Sequence, residues 1–209
     1  MPEITDITPQ VKDKERCNIY VDGRFYCGLK LETAIKNRLK AGEHVDLARL
    51  DEIQLENEKS EALDKAMTHL SVSMKTEKQM RDFLKKKGYV QAVADFVVAK
   101  LEDYGFLDDA EYCRQYLSFA GKNKGRLLLK AELKKRGTDE SCIEAALETL
   151  SGEEESARAV LDKYMKNREF TKDNLYKAFR HLLSRGFGYD AAKSALSSLG
   201  AEEEGGEEF

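Results

Sequence analysis

The stretch GRLLLKAELKKRGTDESCIEAALETL, residues 125–150, sets the pattern for most of the chain. Leu129 and Leu133 stand eight and four residues before Gly137, and Ile143, Leu147 and Leu150 follow it at six, ten and thirteen. The same offsets from Gly88 give Met80, Leu84, Ala94, Val98 and Leu101, and from Gly186 they give Ala178, Leu182, Ala192, Leu196 and Leu199. The three glycines are 49 residues apart. Twenty-five and twenty-one residues upstream of each stand Leu63/Met67, Tyr112/Tyr116 and Leu161/Met165. A register kept over so many positions in three copies is the mark of a repeat protein.

The spacings are helical, and each stacks apolar side chains on one face. Each glycine closes a helix, since glycine enters the left-handed C-cap conformation without a Cβ clash. Lys87, Arg136 and Arg185 precede the three glycines, where a cation suits the negative end of the helix dipole. Thr76 and Asn174 are the expected helix starts in the first and third copies, and Gly125 fills that slot in the second. The reading gives three helices per unit, at 62–72, 76–87 and 90–103, at 109–120, 125–136 and 139–150, and at 154–167, 172–185 and 188–199. The fold class is therefore mainly α: tandem three-helix repeats in an elongated curved array, preceded by a small β-hairpin and short helices. The domain limits are 1–60 for the hairpin and short helices, then 61–105, 106–152 and 153–200 for the repeats. Residues 201–209, AEEEGGEEF, read as a disordered acidic tail.

The front of the chain follows other rules. Arg16–Val21 and Arg24–Leu29 flank Asp22-Gly23, a strong signal for a two-residue hairpin turn. Simple pairing across that turn sets Asn18 against Cys27 and Cys17 against Gly28, with the two sulfurs on opposite faces. Ile19, Val21 and Tyr26 then share one face, and Tyr20, Phe25 and Cys27 the other. With Cys113 and Cys142, the four cysteines show no CxxC spacing, and reduced thiols are expected. Residues 31–40 and 47–57 read as two further helices.

Composition narrows the function. The 209 residues contain no membrane-length apolar run and open on MPEITDITPQ, which is no signal peptide, so a cytoplasmic monomer is expected. His44, His69 and His181 lack metal-ligand spacing. Asp108-Asp109 suits a helix N-cap and first turn better than a metal. GKNKG, residues 121–125, lacks the Lys-Ser/Thr of a phosphate loop and a strand before it. No catalytic residues, metal or cofactor are expected.

Charge carries the remaining signal. The chain has a net charge of −4. That total splits into −3 for residues 1–71, +6 for 72–136 and −7 for 137–209. In the basic middle, Lys78, Arg81 and Lys85 flank one apolar stripe, and Arg126, Lys130 and Lys134 flank the next. Lys87, Lys122, Lys124 and Arg136 complete the candidate partner-binding set. Arg81 matches Lys130 and Lys85 matches Lys134 in repeat register, which makes a ladder of cations for a phosphate backbone or an acidic protein wall. The bland counterpart is a solvated helix face.

The motifs TEKQMRDFLKKKGY (76–89), YGFLDDAEYCRQY (104–116), GRLLLKAELKKRG (125–137) and LLSRGFGYDAAKSAL (182–196) carry a family resemblance. With the hairpin NIYVDGRFYCGL (18–29), the chain resembles the bacterial RecX regulators of the RecA recombinase. The resemblance implies a non-enzymatic array that lodges in the groove of a RecA–DNA filament and restrains ATP hydrolysis and strand exchange. It also implies single-stranded DNA as a second contact, and places the family's basic helix faces at Lys78, Arg81, Lys85, Lys130 and Lys134. Two positions depart from the pattern: Ser73, where an arginine is expected, and Cys113, where alanine is usual. The alternative function is a plain DNA-binding helical-repeat protein that holds phosphates through its middle repeats. A helical adaptor for some acidic protein is a third.

Overall fold

A computed structural model describes residues 1–204 and divides into two compact units, one of Met1–Ser73 with Met80–Tyr104, the other of Met74–Gln79 with Gly105 onward. The first unit opens on strands β1 (Ile4–Pro9), β2 (Arg16–Val21) and β3 (Arg24–Lys30), antiparallel in the order β1-β2-β3. The expected hairpin is β2–β3, and Asp22 and Gly23 turn it with φ of 49° and 77°. Two positive φ values in sequence suit a primed turn, which matches the strand twist. β1 is an addition to the sequence reading. Its run ITDITP alternates poorly because its pairing with β2 slips between Ile4 and Asp6.

The β2–β3 register corrects the sequence expectation. Val21 pairs with Arg24 and Tyr20 with Phe25, but Ile19 pairs with Cys27, so Tyr26 is an extra residue on β3. One inserted residue moves every side chain beyond it to the other face. Cys17, Ile19, Val21, Cys27 and Leu29 consequently share one core. The two sulfurs lie on the same buried face, not on opposite ones, and both stay free thiols. Burial pushes Cys27 up to about 11 and raises Cys17 as well.

Helix α1 (Leu31–Lys36) is short, and α2 (Leu47–Leu70) joins two expected helices into one of 24 residues. The stretch bridging them, ENEKSEA (56–62), holds no glycine or proline to stop the helix. Such a helix is roughly 36 Å long at 1.5 Å per residue. Leu50 and Ile53 on its first half close the core beneath the sheet. Ala62 and Ala66 on its second half are also buried, and α2 packs against α4 (Gln91–Asp103). Between the two halves sits Asn57, only 2% exposed. Its amide oxygen accepts from Lys30 N at 2.8 Å and from the Thr33 hydroxyl at 3.1 Å. Its amide nitrogen donates to Glu61 at 2.8 Å. A buried amide satisfied on both ends holds the sheet to the helix without leaving an orphan polar group.

The repeat helices follow. α3 (Glu77–Lys86) and Gly88 end the middle of the first copy; its first turn groups with the second unit. α5 (Asp109–Ala120), α6 (Arg126–Arg136) and α7 (Glu140–Glu148) enclose Leu117, Leu129, Leu133 and Ile143. α8 (Glu153–Met165), α9 (Lys172–Ser184) and α10 (Tyr189–Glu204) enclose Leu161, Ala178, Leu182 and Phe187. Gly88, Gly137 and Gly186 take φ of 89°, 88° and 84°, the left-handed cap expected of all three. Cys113, unusual in type, is fully buried as a small core residue.

Within the second unit the helix that ends on each glycine is met by the start of its counterpart one repeat earlier. The Thr76 hydroxyl donates to the Arg136 carbonyl at 2.7 Å, and Gly125 N donates to the Arg185 carbonyl at 3.0 Å. These two contacts are related by the 49-residue register. Glu77 N, next in line, donates to Asp109 at 2.9 Å, and Arg126 N donates to Glu153 at 2.9 Å. Both acids are the first residue of the following repeat's first helix. A helix start leaves unpaired N–H groups, and here the next repeat's acid and carbonyl satisfy them. Close approach requires glycine. A Cβ on Gly125 would lie 2.2 Å from Gly186 O and 2.2 Å from Phe187 N, and one on Gly186 would lie 2.3 Å from Leu128 Cβ. The third repeat differs. Thr171 caps α9 from its own loop, accepting from Asn174 N at 3.3 Å, so the N-cap lies three residues before Asn174 and the helix begins at Lys172.

The tail expected at 201–209 falls, from 205 on, outside the described residues, while Ala201–Glu204 continue α10.

Candidate partner-binding surface

The cations singled out by sequence occupy three kinds of place. Some are woven into the fold. Lys124 binds both oxygens of Glu132 at 2.6 and 2.7 Å, and that partner raises its pKa. The Arg136 guanidinium donates to the Tyr112 hydroxyl at 2.6 Å and lies 4.6 Å above the Tyr116 ring. Arg126 donates from its side chain to the Leu150 carbonyl at 2.5 Å and lies 3.4 Å from Glu153. Lys78 lays its stem on Gly137, where an added Cβ would come within 2.1 Å of Lys78 Cδ. Each of these side chains positions helices.

A second group forms the ladder, and its rungs carry intramolecular partners. In the first unit Arg81 pairs with Asp95 of α4 and holds that carboxyl below its ordinary range. In the second, Lys130 pairs with Glu144 and, at 3.2 Å, with Glu140, and Lys134 pairs with Glu140 at 2.8 Å. Glu144 first, then Glu140, raises the pKa of Lys130. Both acids come from α7, just beyond residue 136, so a charge count that stops there leaves them out. Exposed pairs of this kind contribute about 0–1 kcal/mol each, and an outside acid or phosphate can replace them at little cost.

The third group is exposed. Lys85 and Lys122 have no ion pair among the described residues, and Lys87 lies 5.6 Å above the Phe83 ring. The carboxylates that sequence assigned to helix starts take those places: Asp108 accepts from Glu111 N at 2.9 Å, and Asp109 serves Glu77 N. Burial raises the pKa of Asp109. Two histidines stack on rings, His69 on Phe83 at 4.0 Å and His181 on Tyr164 at 4.5 Å. Among the described residues no group of three His, Cys, Asp or Glu could hold a metal ion. No helix there is long and apolar enough to cross a membrane.

One group was missed by sequence reasoning. Lys163, Arg168, His181 and Arg185 line a cleft of about 250 Å³ in the third repeat. Its signal was diluted by the acidity of residues 137–209. In the sequence Arg185 stands out only as a helix-end cation and His181 only as a lone histidine.

Three family models match this chain. The Regulatory protein RecX N-terminal domain covers residues 2–46, the first RecX three-helix domain 62–101 and the second 108–147. A Regulatory protein RecX of Bacillus subtilis is 32% identical over 205 residues, covering 95% of this chain and 78% of that one. The chain belongs to the RecX family. The RecX of Bacillus licheniformis is 31% identical over 214 residues, spanning the whole of this chain and 81% of its own. Two RecX crystal structures share the fold. One superposes with a TM-score of 0.67 at 24% identity over 92% of this chain and 98% of its own. The other, from Lactobacillus salivarius, gives 0.63 at 23% identity over 69% of this chain and 97% of its own. Family membership makes this a regulatory protein built from tandem three-helix domains.

Proposed function

We propose that the chain is a non-enzymatic modulator of the RecA recombinase, bound in the groove of the RecA–DNA filament and restraining ATP hydrolysis and strand exchange. The observation that carries this reading is the match to regulatory RecX proteins along essentially the whole chain. The surface supports it. Lys85, Lys87 and Lys122 are exposed, and Arg81, Lys130 and Lys134 hold acids that a partner of like charge can displace. Regulation by exchange of surface pairs needs no catalytic group.

The test is RecA ATPase on single-stranded DNA, measured with increasing amounts of this protein. A fall in turnover, with no ATPase or nuclease activity of the protein alone, is the expected outcome. Unchanged turnover at saturating protein would overturn the reading. Salt separates the DNA-binding alternative: affinity for bare DNA that drops steeply with salt, alongside no effect on RecA beyond DNA masking, would favour it.

A further inference from the structure

We propose that the third repeat carries a binding site for a phosphate group, in the cleft between α8, α9 and the GKNKG loop. The inference rests on this cleft alone and stands whether or not RecA is the partner. Lys163 and Arg168 come from α8 and the turn after it, His181 and Arg185 from α9 and its cap, and Asn123 from the loop. None of the residues lining the cleft is acidic. Residues 153–200 as a whole carry 9 basic and 7 acidic side chains. The acids of this repeat lie elsewhere.

Arg168 is ordered by an aromatic ring, and no carboxylate pairs with Lys163, Arg168 or Arg185 among the described residues. The Arg168 guanidinium lies 3.8 Å from the Tyr164 ring centre and donates to the Tyr164 carbonyl. The same ring stacks on His181 at 4.5 Å and 23°. Packing on a ring orients a guanidinium yet leaves its charge unneutralised, which is the state a site prepared for an anion requires. His181 has its pKa lowered first by burial and then by Arg185 and Arg168 beside it. Val160 supplies an apolar wall. A tetrahedral oxyanion suits this set, because several acceptor oxygens can take forked guanidinium, ammonium and amide donors at once. The phosphate can be free, as inorganic phosphate or a phosphomonoester, or part of a nucleic-acid backbone.

Both sources are separable with the full chain. Inorganic phosphate is titrated while the His181 ring protons are followed by NMR, with Arg168, Arg185, Lys163 and Tyr164 as the groups facing that ring. A single-stranded oligonucleotide without terminal phosphate is titrated in parallel. Phosphate should shift the His181 resonances and raise its pKa. The double variant Arg168→Gln/Arg185→Gln should weaken binding at least about tenfold, the loss of two charge-assisted bonds. Lys163→Gln, which leaves the Tyr164 stack intact, should weaken it less and guards against misfolding of the double variant. Lys166→Gln/Lys172→Gln, outside the cleft, should leave it unchanged. If the oligonucleotide competes with phosphate, the backbone is the source; if it does not, a free phosphate is. The proposal is overturned if neither ligand moves His181, if the cleft variants bind as wild type, or if only a glutamate-rich peptide binds there.

Discussion

The second and third repeats are built on one plan and treat their cations in opposite ways. Both stack three helices around leucines, both close the middle helix on a left-handed glycine, and both present basic side chains from that helix. In the second, Glu140 and Glu144 of α7 reach across to Lys130 and Lys134. In the third, Arg168, His181 and Arg185 meet a tyrosine and an open cleft. By count the two are close: residues 106–152 carry 8 basic and 8 acidic side chains, and residues 153–200 carry 9 and 7. By contact they differ. Local charge depends on which side chains touch, and a pair three or four ångströms away outweighs many more distant residues once salt screens them.

Four experiments would break or sharpen this contrast, and the largest effect concerns what the repeats share. Gly125→Ala and Gly186→Ala each force a methyl to within about 2 Å of atoms in the facing helix end. Each should cost about 3 kcal/mol or more in denaturant unfolding, with positive φ adding to the cost at Gly186. Gly188→Ala, with open space around it, should cost within about 1 kcal/mol. Equal costs at Gly186 and Gly188 would mean that the junction is not packed as described.

Charge reversal comes next. Lys130→Glu/Lys134→Glu sets new acids against Glu140 and Glu144, and should lower stability by about 1 kcal/mol. Arg168→Gln/Arg185→Gln removes no ion pair among the described residues and should melt within a degree or two of wild type, since neutral surface changes are small. If the first pair melts unchanged, the ladder rungs are not paired in solution.

The third test asks whether pairing hides the ladder. Glu140→Gln/Glu144→Gln should release Lys130 and Lys134 and tighten binding to a RecA–DNA filament several-fold, as each freed cation contributes a fraction of a kcal/mol. Weaker binding would mark the acids themselves as the contact.

The smallest effect is in pH. His181 has a lowered pKa in the fold, so the unfolded chain binds its proton more readily. Stability should be fully present above the ordinary histidine range and decline as pH falls through it toward the folded value. His181→Gln should flatten that part of the stability–pH curve. An unchanged curve would show that His181 is freely solvated.

Much of the fold could be read from residues because the repeat writes the same instruction three times. Leu84, Leu133 and Leu182 are each fully buried four residues before a left-handed glycine. Where a feature occurs once, legibility fell. The bulge at Tyr26 has no sequence mark, since the Asp-Gly turn looks the same with or without it. The junction of α2 was lost because two apolar stripes, one for the sheet and one for the repeat, looked like two helices. The cleft was invisible for a geometric reason. Its residues come from 123, 163, 168, 181 and 185, and only the fold of three separate segments brings them to one place.

The shared capping between repeats bears on how the molecule is made. Synthesis runs from the N-terminus, so α3 leaves the ribosome before α5 and α6 exist. Its first turn has Gln79 and Thr76 to serve it, but the Asp109 carboxylate and the Arg136 carbonyl arrive only later. The start of α6 likewise waits for Glu153 and Arg185. Each helix is thus finished by a part of the chain not yet translated when it first forms. In the third repeat α9 takes its cap from Thr171 of its own loop, and no later acid or carbonyl serves its start among the described residues. A growing chain would therefore lock from the far end backwards, and a stalled or shortened one would be left with a frayed helix start.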